Sequence, residues 1–189
     1  MKYFFILFIT IILFSCTANK STVEAEQHSP NKVEKPFPQN WYGKWKGILV
    51  IYNNKGKAQD IPMELHVAPT DTVNRYRMAL IYGEGEKASE RPYELVLVDA
   101  ETGHYKTDEK NTIYLDDYYF DGVLYSRFEV MGNLLLTRIE KRNGKMYFEI
   151  ISGKLEPIAT TGDDEANDIP PVNSYNITVS QRAELTKYE

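Results

Sequence analysis

Apolar residues follow three patterns along this chain. An apolar run interrupted only by Thr10 occupies residues 3–14, directly after Lys2. A polar segment, residues 17–40, comes next, and from Trp41 onward apolar and polar residues alternate in short stretches separated by turn residues. Alternation with a period of two is typical of β-strands, and no longer stretch after Trp41 keeps a helical apolar face. The pattern predicts a leader, a tether and an all-β domain over residues 41–189.

The alternating stretches predict antiparallel strands joined by tight turns. They cover residues 44–52, 61–67, 75–82, 93–98, 104–106, 112–115, 123–130, 134–140 and 145–152. Asn143-Gly144 has the residue types of a two-residue type I′ hairpin turn. An acidic loop over residues 160–171 and a closing strand at about 173–185 complete the chain. A meander of this kind closes most simply into an up-and-down β-barrel of about eight to ten strands, which leaves no unpaired edge.

The leader carries a more specific motif at its end. A positive residue and an apolar run too short to span a bilayer are typical of a signal peptide, here residues 1–15. Leu13-Phe14-Ser15-Cys16 resembles the bacterial lipobox, in which the cysteine receives a diacylglyceryl group and becomes the mature N-terminus. The resemblance implies a lipid on Cys16, a flexible tether over 16–40, and attachment to the cell envelope, by default the outer membrane facing the periplasm. The alternative is a buried free thiol, which the polar segment after Cys16 disfavours.

The net charge and the composition limit the classes of molecule that this protein can bind. Removal of residues 1–15 leaves 21 basic and 27 acidic side chains, a net charge of −6. Because the chain has no cluster of Lys or Arg, nucleic acid is excluded as a main partner. Cys16 is the only cysteine, so the domain has no disulfide and depends on its own core. We expect a monomer.

The sequence contains no recognisable catalytic or metal motif. It lacks a Gly-x-Ser-x-Gly elbow and a phosphate-binding loop, and only His66 and His104 fall in the domain. One group of acids is either a set of hard oxygen ligands for calcium or, as we prefer, acids that end strands and fill turns; its members are Asp108, Glu109, Asp116, Asp117 and Asp121. The sequence therefore predicts no enzyme, no metal and no cofactor.

The start of the domain contains Gly43-Lys44-Trp45 at the entry to the first strand. This Gly-x-Trp element resembles the lipocalins and the wider calycin group, which are small barrels that hold apolar ligands. The resemblance implies that Trp45 plugs one end of the barrel under an arginine, here Arg182 or Arg138, through a cation–π contact. The Thr-Asp-Tyr signature of lipocalins is absent.

Strand alternation suggests candidate ligand contacts. A set of tyrosine and arginine side chains would grip a carboxylate head group if it faced a cavity; its members are Tyr76, Arg77, Tyr93, Tyr125 and Arg127. The alternative is a row of solvent-facing ion pairs, such as Arg77 with Glu94. The aromatic loop predicted over 116–121 is a barrel lid, a protein-contact patch or an inward-folded plug.

These expectations give two main functions, and an enzyme without a recognisable motif is a further alternative. The first is a lipid-anchored envelope protein that binds a small apolar or amphipathic ligand non-covalently in its barrel. The second is a protein-binding envelope lipoprotein, an inhibitor or assembly accessory, whose barrel is filled by side chains. A cavity of about 300 Å³ or more favours the first, because ligand pockets have at least that volume.

Overall fold

A computed structural model describes residues 35–189, so the predicted leader, Cys16 and most of the tether lie outside the described residues. Ten strands form a closed antiparallel barrel, and two short strands form a separate hairpin. The barrel strands are β1 (Gly43–Asn53), β2 (Gly56–Pro69), β3 (Arg75–Tyr82), β4 (Ser89–Asp99), β5 (His104–Asp108), β6 (Tyr114–Phe120), β7 (Val123–Val130), β8 (Asn133–Arg142), β9 (Lys145–Lys154) and β12 (Val179–Lys187). The predicted all-β barrel is confirmed.

The barrel is an up-and-down meander that is closed by its last strand. Each strand from β1 to β9 pairs with the next, and β12 inserts between β9 and β1. Strands β10 (Ala159–Thr161) and β11 (Val172–Ser174) pair only with each other, within and beside the predicted acidic loop. Short 3₁₀ helices lie at Gln39–Trp41, Gly85–Lys87 and Glu165–Asn167. Among residues 35–189, no helix has the length and apolar character needed to cross a membrane.

The local sequence correctly predicts the turn at Asn143-Gly144 but not the extent of strand β6. Asn143 and Gly144 both have positive φ, 52° and 73°, as a type I′ turn requires. Residues 116–121, predicted to be a loop, instead lie largely in β6, which pairs with β5 and β7. The correction follows from Asp116 and Asp117, which lie within a strand because neighbouring strands supply their hydrogen-bond partners.

The core lies inside the barrel and follows from the alternation of each strand. On β1, Trp45 and Leu49 are buried, whereas Lys46 and Ile48 point outward. The other strands contribute equivalent inward residues, including Met63, Leu65, Met78, Leu80, Leu95, Leu124, Ile139, Met146, Phe148 and Leu185. Burial of these side chains supplies the main driving force for folding.

One end of the barrel is covered by the chain that precedes β1. Phe37 stacks on Tyr119 with ring centroids 3.9 Å apart and meets Trp41 edge to face at 4.7 Å. Trp45 Nε1 donates a 2.9 Å hydrogen bond to the carbonyl oxygen of Trp41. Pro38 is also fully buried. The folded part therefore begins before the predicted boundary at residue 40, because these apolar rings cover the core. We call this the closed end and the opposite end the mouth.

Candidate functional site

The barrel interior contains a cavity of about 120 Å³ between the core and the mouth. Its apolar walls are Met78, Leu80, Leu115, Leu124, Phe128, Ile139, Phe148 and Ile150. Its polar positions are Thr107, Asp117, Ser126 and Thr137, with Tyr82, Tyr93 and Glu109 toward the mouth. The last three side chains are only partly buried, so the cavity approaches solvent at that end.

Asp117 is the chemically distinctive group of this cavity. Its side chain is fully buried, and it accepts a 2.6 Å hydrogen bond from Thr107 Oγ1 and a second hydrogen bond from Ser126 Oγ. Burial raises the pKa of this carboxyl to about 6, although both hydroxyl groups oppose the shift. A carboxyl group with this pKa exchanges a proton near neutral pH.

No side chain in the described part of the chain forms an ion pair with Asp117. The nearest basic influence is His104, whose ring instead hydrogen bonds Asp116 at 2.8 Å on the outside of the barrel. Residues 35–189 place no Lys, Arg or His in the cavity lining. The interior is thus an apolar space with a single buried acid.

Two tyrosines and one acid mark the mouth. Burial, followed by the proximity of Tyr93, raises the pKa of Tyr82 to about 12. The pKa of Tyr93 is raised by burial and then by Glu109, whose carboxylate lies close to it. Both phenols therefore stay neutral and can donate hydrogen bonds at physiological pH. They form a polar rim above the apolar walls.

The structure does not bring the predicted ligand set together. Tyr76 and Tyr93 face the interior, and Tyr93 lines the cavity. Arg77, Tyr125 and Arg127 lie on the outer face, because each has the opposite parity to inward neighbours on its strand. The five residues therefore do not surround one space, and the predicted binding of a carboxylate head group by all of them together is wrong.

The outward arginines make surface contacts instead. Arg77 pairs with Glu90 at 2.5 Å, rather than with Glu94 as the solvent-facing alternative proposed. Glu94 pairs with Arg75 at 2.9 Å and with Lys110 at 2.6 Å. The hydrogen bond from Lys110, followed by that from Arg75, holds the pKa of Glu94 below its usual value. These pairs connect neighbouring strands on the outside of the barrel.

Trp45 lies at the closed end and is 2% exposed. The cation nearest its ring is Lys187 Nζ, 5.6 Å from the centroid, and not an arginine. Arg182 lies over Tyr52 and Arg138 pairs with Glu140 at 2.6 Å, so neither predicted partner stacks on Trp45. Lys187 takes this place because it is the register partner of Trp45 on β12.

The outer faces of β5 and β6 carry a row of rings, which we call the aromatic face: the partly buried His104 on β5 and the exposed Tyr114, Tyr118 and Phe120 on β6. The rings of His104 and Tyr118 stack at 4.9 Å, and Tyr118 and Phe120 stack at 6.1 Å. Phe120 is 55% exposed. Tyr119 points inward and covers the closed end. Of the three consecutive aromatic residues, Tyr119 is therefore part of the plug, whereas Tyr118 and Phe120 are exposed on the surface.

Sequence reasoning missed Asp117 as a site residue. It named this acid only as a calcium ligand or a turn residue. Residues 35–189 contain no group of three His, Cys, Asp or Glu side chains arranged to hold a metal ion. The alternation of side chains along a strand could have identified it. On β6, Asp117 shares a face with the inward residues Leu115 and Tyr119, whereas Asp116 and Tyr118 lie on the opposite face.

Comparison with known proteins gives similarity in fold. No protein-family model matches the sequence, and no curated protein matches it. The S-type phycobiliprotein lyase CPES from Guillardia theta is 11% identical with a TM-score of 0.51, over 78% of this chain and 89% of that chain. A protein of unknown function from the DUF3598 family of Nostoc punctiforme is 12% identical with a TM-score of 0.50, over 77% of this chain and 47% of that chain.

These similarities show that the closed antiparallel barrel of this chain resembles these proteins in fold. They also correct the expectation that the protein is not an enzyme, because this barrel architecture is shared with a protein described as a lyase. The sequence lacks a recognisable catalytic motif, but this lack does not exclude an enzyme.

Proposed function

We propose that this protein binds a small amphipathic ligand non-covalently inside its barrel. The observation that carries the proposal is the interior cavity, whose apolar walls surround one buried carboxyl group, Asp117. Ligand sites commonly combine apolar walls with a few polar groups that fix orientation. Asp117 and the rim tyrosines, Tyr82 and Tyr93, have these positions.

The size of the cavity limits what enters without rearrangement. Its volume of about 120 Å³ is below the roughly 300 Å³ that was expected for a ligand-binding barrel, so the proposal depends on the chemistry of the lining and not on the size of the cavity. A cavity of about 150 Å³ lined by aliphatic and aromatic side chains holds a single benzene ring. The barrel as it stands therefore suits a ligand portion of one ring, and a larger ligand requires Tyr82, Tyr93 or Phe128 to move at the mouth.

Mass spectrometry under native conditions tests the binding function directly. Residues 35–189 would be incubated with toluene and, separately, with envelope lipid extract. A bound mass that disappears when Leu124→Trp fills the cavity supports the proposal, whereas Leu136→Trp on the outer surface should not affect it. Absence of any bound species under every condition would contradict it.

We further propose that Cys16 carries the lipid that attaches the protein to the envelope. The support is the lipobox resemblance together with the absence of another cysteine in the chain. Two or more acyl chains are needed for stable anchoring, since each buried CH₂ contributes roughly 0.8 kcal/mol. Cys16→Ser should shift the protein from the membrane to the soluble fraction and remove the acyl mass. Retention of unacylated Cys16→Ser in the membrane would show a different anchor.

A second candidate function is binding of an envelope protein, and the aromatic face favours it. Tyr118 and Phe120 expose stacked rings on the outer face of β6, and exposed apolar patches of this kind often contact proteins. Crosslinking in intact cells with a photoreactive residue at 118 tests this function. A single crosslinked partner that is lost in Phe120→Ser would support it, and crosslinks spread over many proteins would contradict it.

A further inference from the structure

We propose that the ligand presents a positively charged nitrogen to Asp117, on an apolar body of about one ring. This inference rests on the proposed function and deepens it, because it assigns the chemical class of the ligand. It follows from three properties of the cavity: the unused acceptor positions of Asp117, the absence of an ionic partner for it within residues 35–189, and the distribution of charge along the path from the mouth.

The carboxyl group of Asp117 has acceptor capacity to spare. An ionised carboxylate offers about four lone-pair positions, and Thr107 and Ser126 occupy one on each oxygen. Both hydroxyl groups act as donors, so they hold the carboxylate in place without neutralising its charge. The remaining positions are suited to a ligand that donates hydrogen bonds.

The charge of Asp117 is buried without a counter-charge in the described part of the chain. Its side chain has no measurable exposure, and the ion pairs of residues 35–189 do not include it. Isolated buried charges are unfavourable unless they are paired. The pKa of about 6 means that the ionised form still predominates at pH 7. A cationic group from the ligand would supply the missing partner.

The path from the mouth selects for the same charge. Glu109 lies at the mouth, and no basic side chain of the described residues lines the cavity. Arg91 lies outside this lining, near Tyr82 and Tyr93, where it opposes the rise in their pKa values. Within the cavity lining a carboxylate ligand would therefore meet two acids and no cation. This reverses the head group expected from the sequence, because Arg77 and Arg127, which would have bound a carboxylate, lie on the outer face.

The walls define the rest of the ligand. Leu80, Leu124 and Phe148 face the same space as Asp117 and offer only apolar contact. A volume of about 120 Å³ accommodates a single ring or a short branched alkyl group. Aromatic and alkyl amines are therefore the predicted class.

Three probes with the same ring and different head groups test the inference: benzylamine, benzyl alcohol and benzoate. Isothermal titration calorimetry at pH 7.5 on residues 35–189 should give benzylamine an affinity at least tenfold higher than benzyl alcohol, with benzoate the weakest. Asp117→Asn should reduce the preference for benzylamine to less than about threefold. Asp116→Asn is the matched control, since the adjacent side chain points outward to His104 and should leave the preference unchanged.

The outcomes separate this inference from the proposed function. Binding of all three probes with similar affinity, or of benzoate most tightly, overturns the cationic ligand but retains the binding barrel. Binding of none of them overturns both. An amine preference that persists in folded Asp117→Asn also overturns the assignment to this residue. The comparison of probes on the unaltered protein needs no substitution, so it decides the question even if Asp117→Asn fails to fold.

Discussion

Thr107 Oγ1 lies 2.6 Å from Asp117 Oδ2 and donates a hydrogen bond to it from strand β5 to strand β6. Ser126 donates to the other oxygen from β7, so three neighbouring strands meet at one carboxyl group. The hydrogen bonds fix the orientation of this group toward the cavity. They do not offset the effect of burial, which dominates its pKa.

The raised pKa of Asp117 makes the stability of the barrel depend on pH. The folded protein binds the proton more tightly than the unfolded chain, whose aspartate pKa is 3.8, so this contribution is complete below pH 4 and is lost as pH rises to about 6. Asp117→Asn removes the ionisable group. We expect it to be more stable than the unaltered protein at pH 8 by roughly 1–3 kcal/mol, measured by urea denaturation.

The pH profile of the difference provides the control for this experiment. Glu94 and other acids with lowered pKa values contribute in the opposite direction, but they do so equally in both proteins. The stability difference between them should therefore increase between pH 4 and pH 6 and then remain constant. Parallel pH profiles for the two proteins would contradict a perturbed Asp117.

Ser126→Ala should raise the pKa of Asp117 further. The hydrogen bond from Ser126 favours the ionised form, so its loss shifts the equilibrium toward the protonated acid. The carbon-13 chemical shift of the Asp117 carboxyl group, followed through a pH titration, measures this change. Glu129→Gln, an exposed change on the same strand, should leave the midpoint unchanged.

Phe37 should contribute to stability although it precedes the first strand. Its ring contacts Trp41, Tyr105 and Tyr119 within 5.1 Å, so Phe37→Ala removes a shared packing surface. We expect a loss of about 2–3 kcal/mol, less than for a fully buried phenylalanine because the ring is half-buried. Phe120→Ala, on the exposed aromatic face, should lose less than about 1 kcal/mol in thermal or chemical unfolding.

Gly47 should be needed for barrel closure. A Cβ atom at this position would lie 2.2 Å from the carbonyl oxygen of Glu184 on β12, and backbone cannot move aside cheaply. Gly47→Ala should therefore cost about 1–3 kcal/mol and weaken protection of β12 amides in hydrogen exchange. Thr186→Ala, an exposed change on β12, should stay within about 0.5 kcal/mol. Equal exchange in both variants would show that β1 and β12 tolerate a wider separation.

Sequence patterns predicted the strands that have simple alternation. Residues 75–82 and 123–130 form β3 and β7 with the predicted bounds. Strand β6 was predicted only at its start, within residues 112–115, because Asp116 and Asp117 are typical turn residues and the partners that stabilise Asp117 come from other strands. Local propensity does not contain such contacts.

The candidate site was less predictable than the fold for a related reason. Alternation places Tyr76 and Arg77 on opposite faces, but it does not say which face is inside the barrel. That choice depends on packing of all the inward faces together, and here it places Tyr76 inside and Arg77 in solvent. Because the arginines lie outside the barrel and Asp117 lies inside, the expected charge of the ligand changes from negative to positive.

The pairing of β1 with β12 also determines when the barrel can form. Trp45 lies opposite Lys187, and the carbonyl oxygen of Glu189 accepts a 2.9 Å hydrogen bond from the amide of Lys44. The ends of the domain are thus joined by contacts that span almost its whole length, the kind that form slowly during folding. A chain still emerging from the ribosome lacks β12, the strand that pairs with both β1 and β9. The barrel therefore cannot close until β12 has been synthesised.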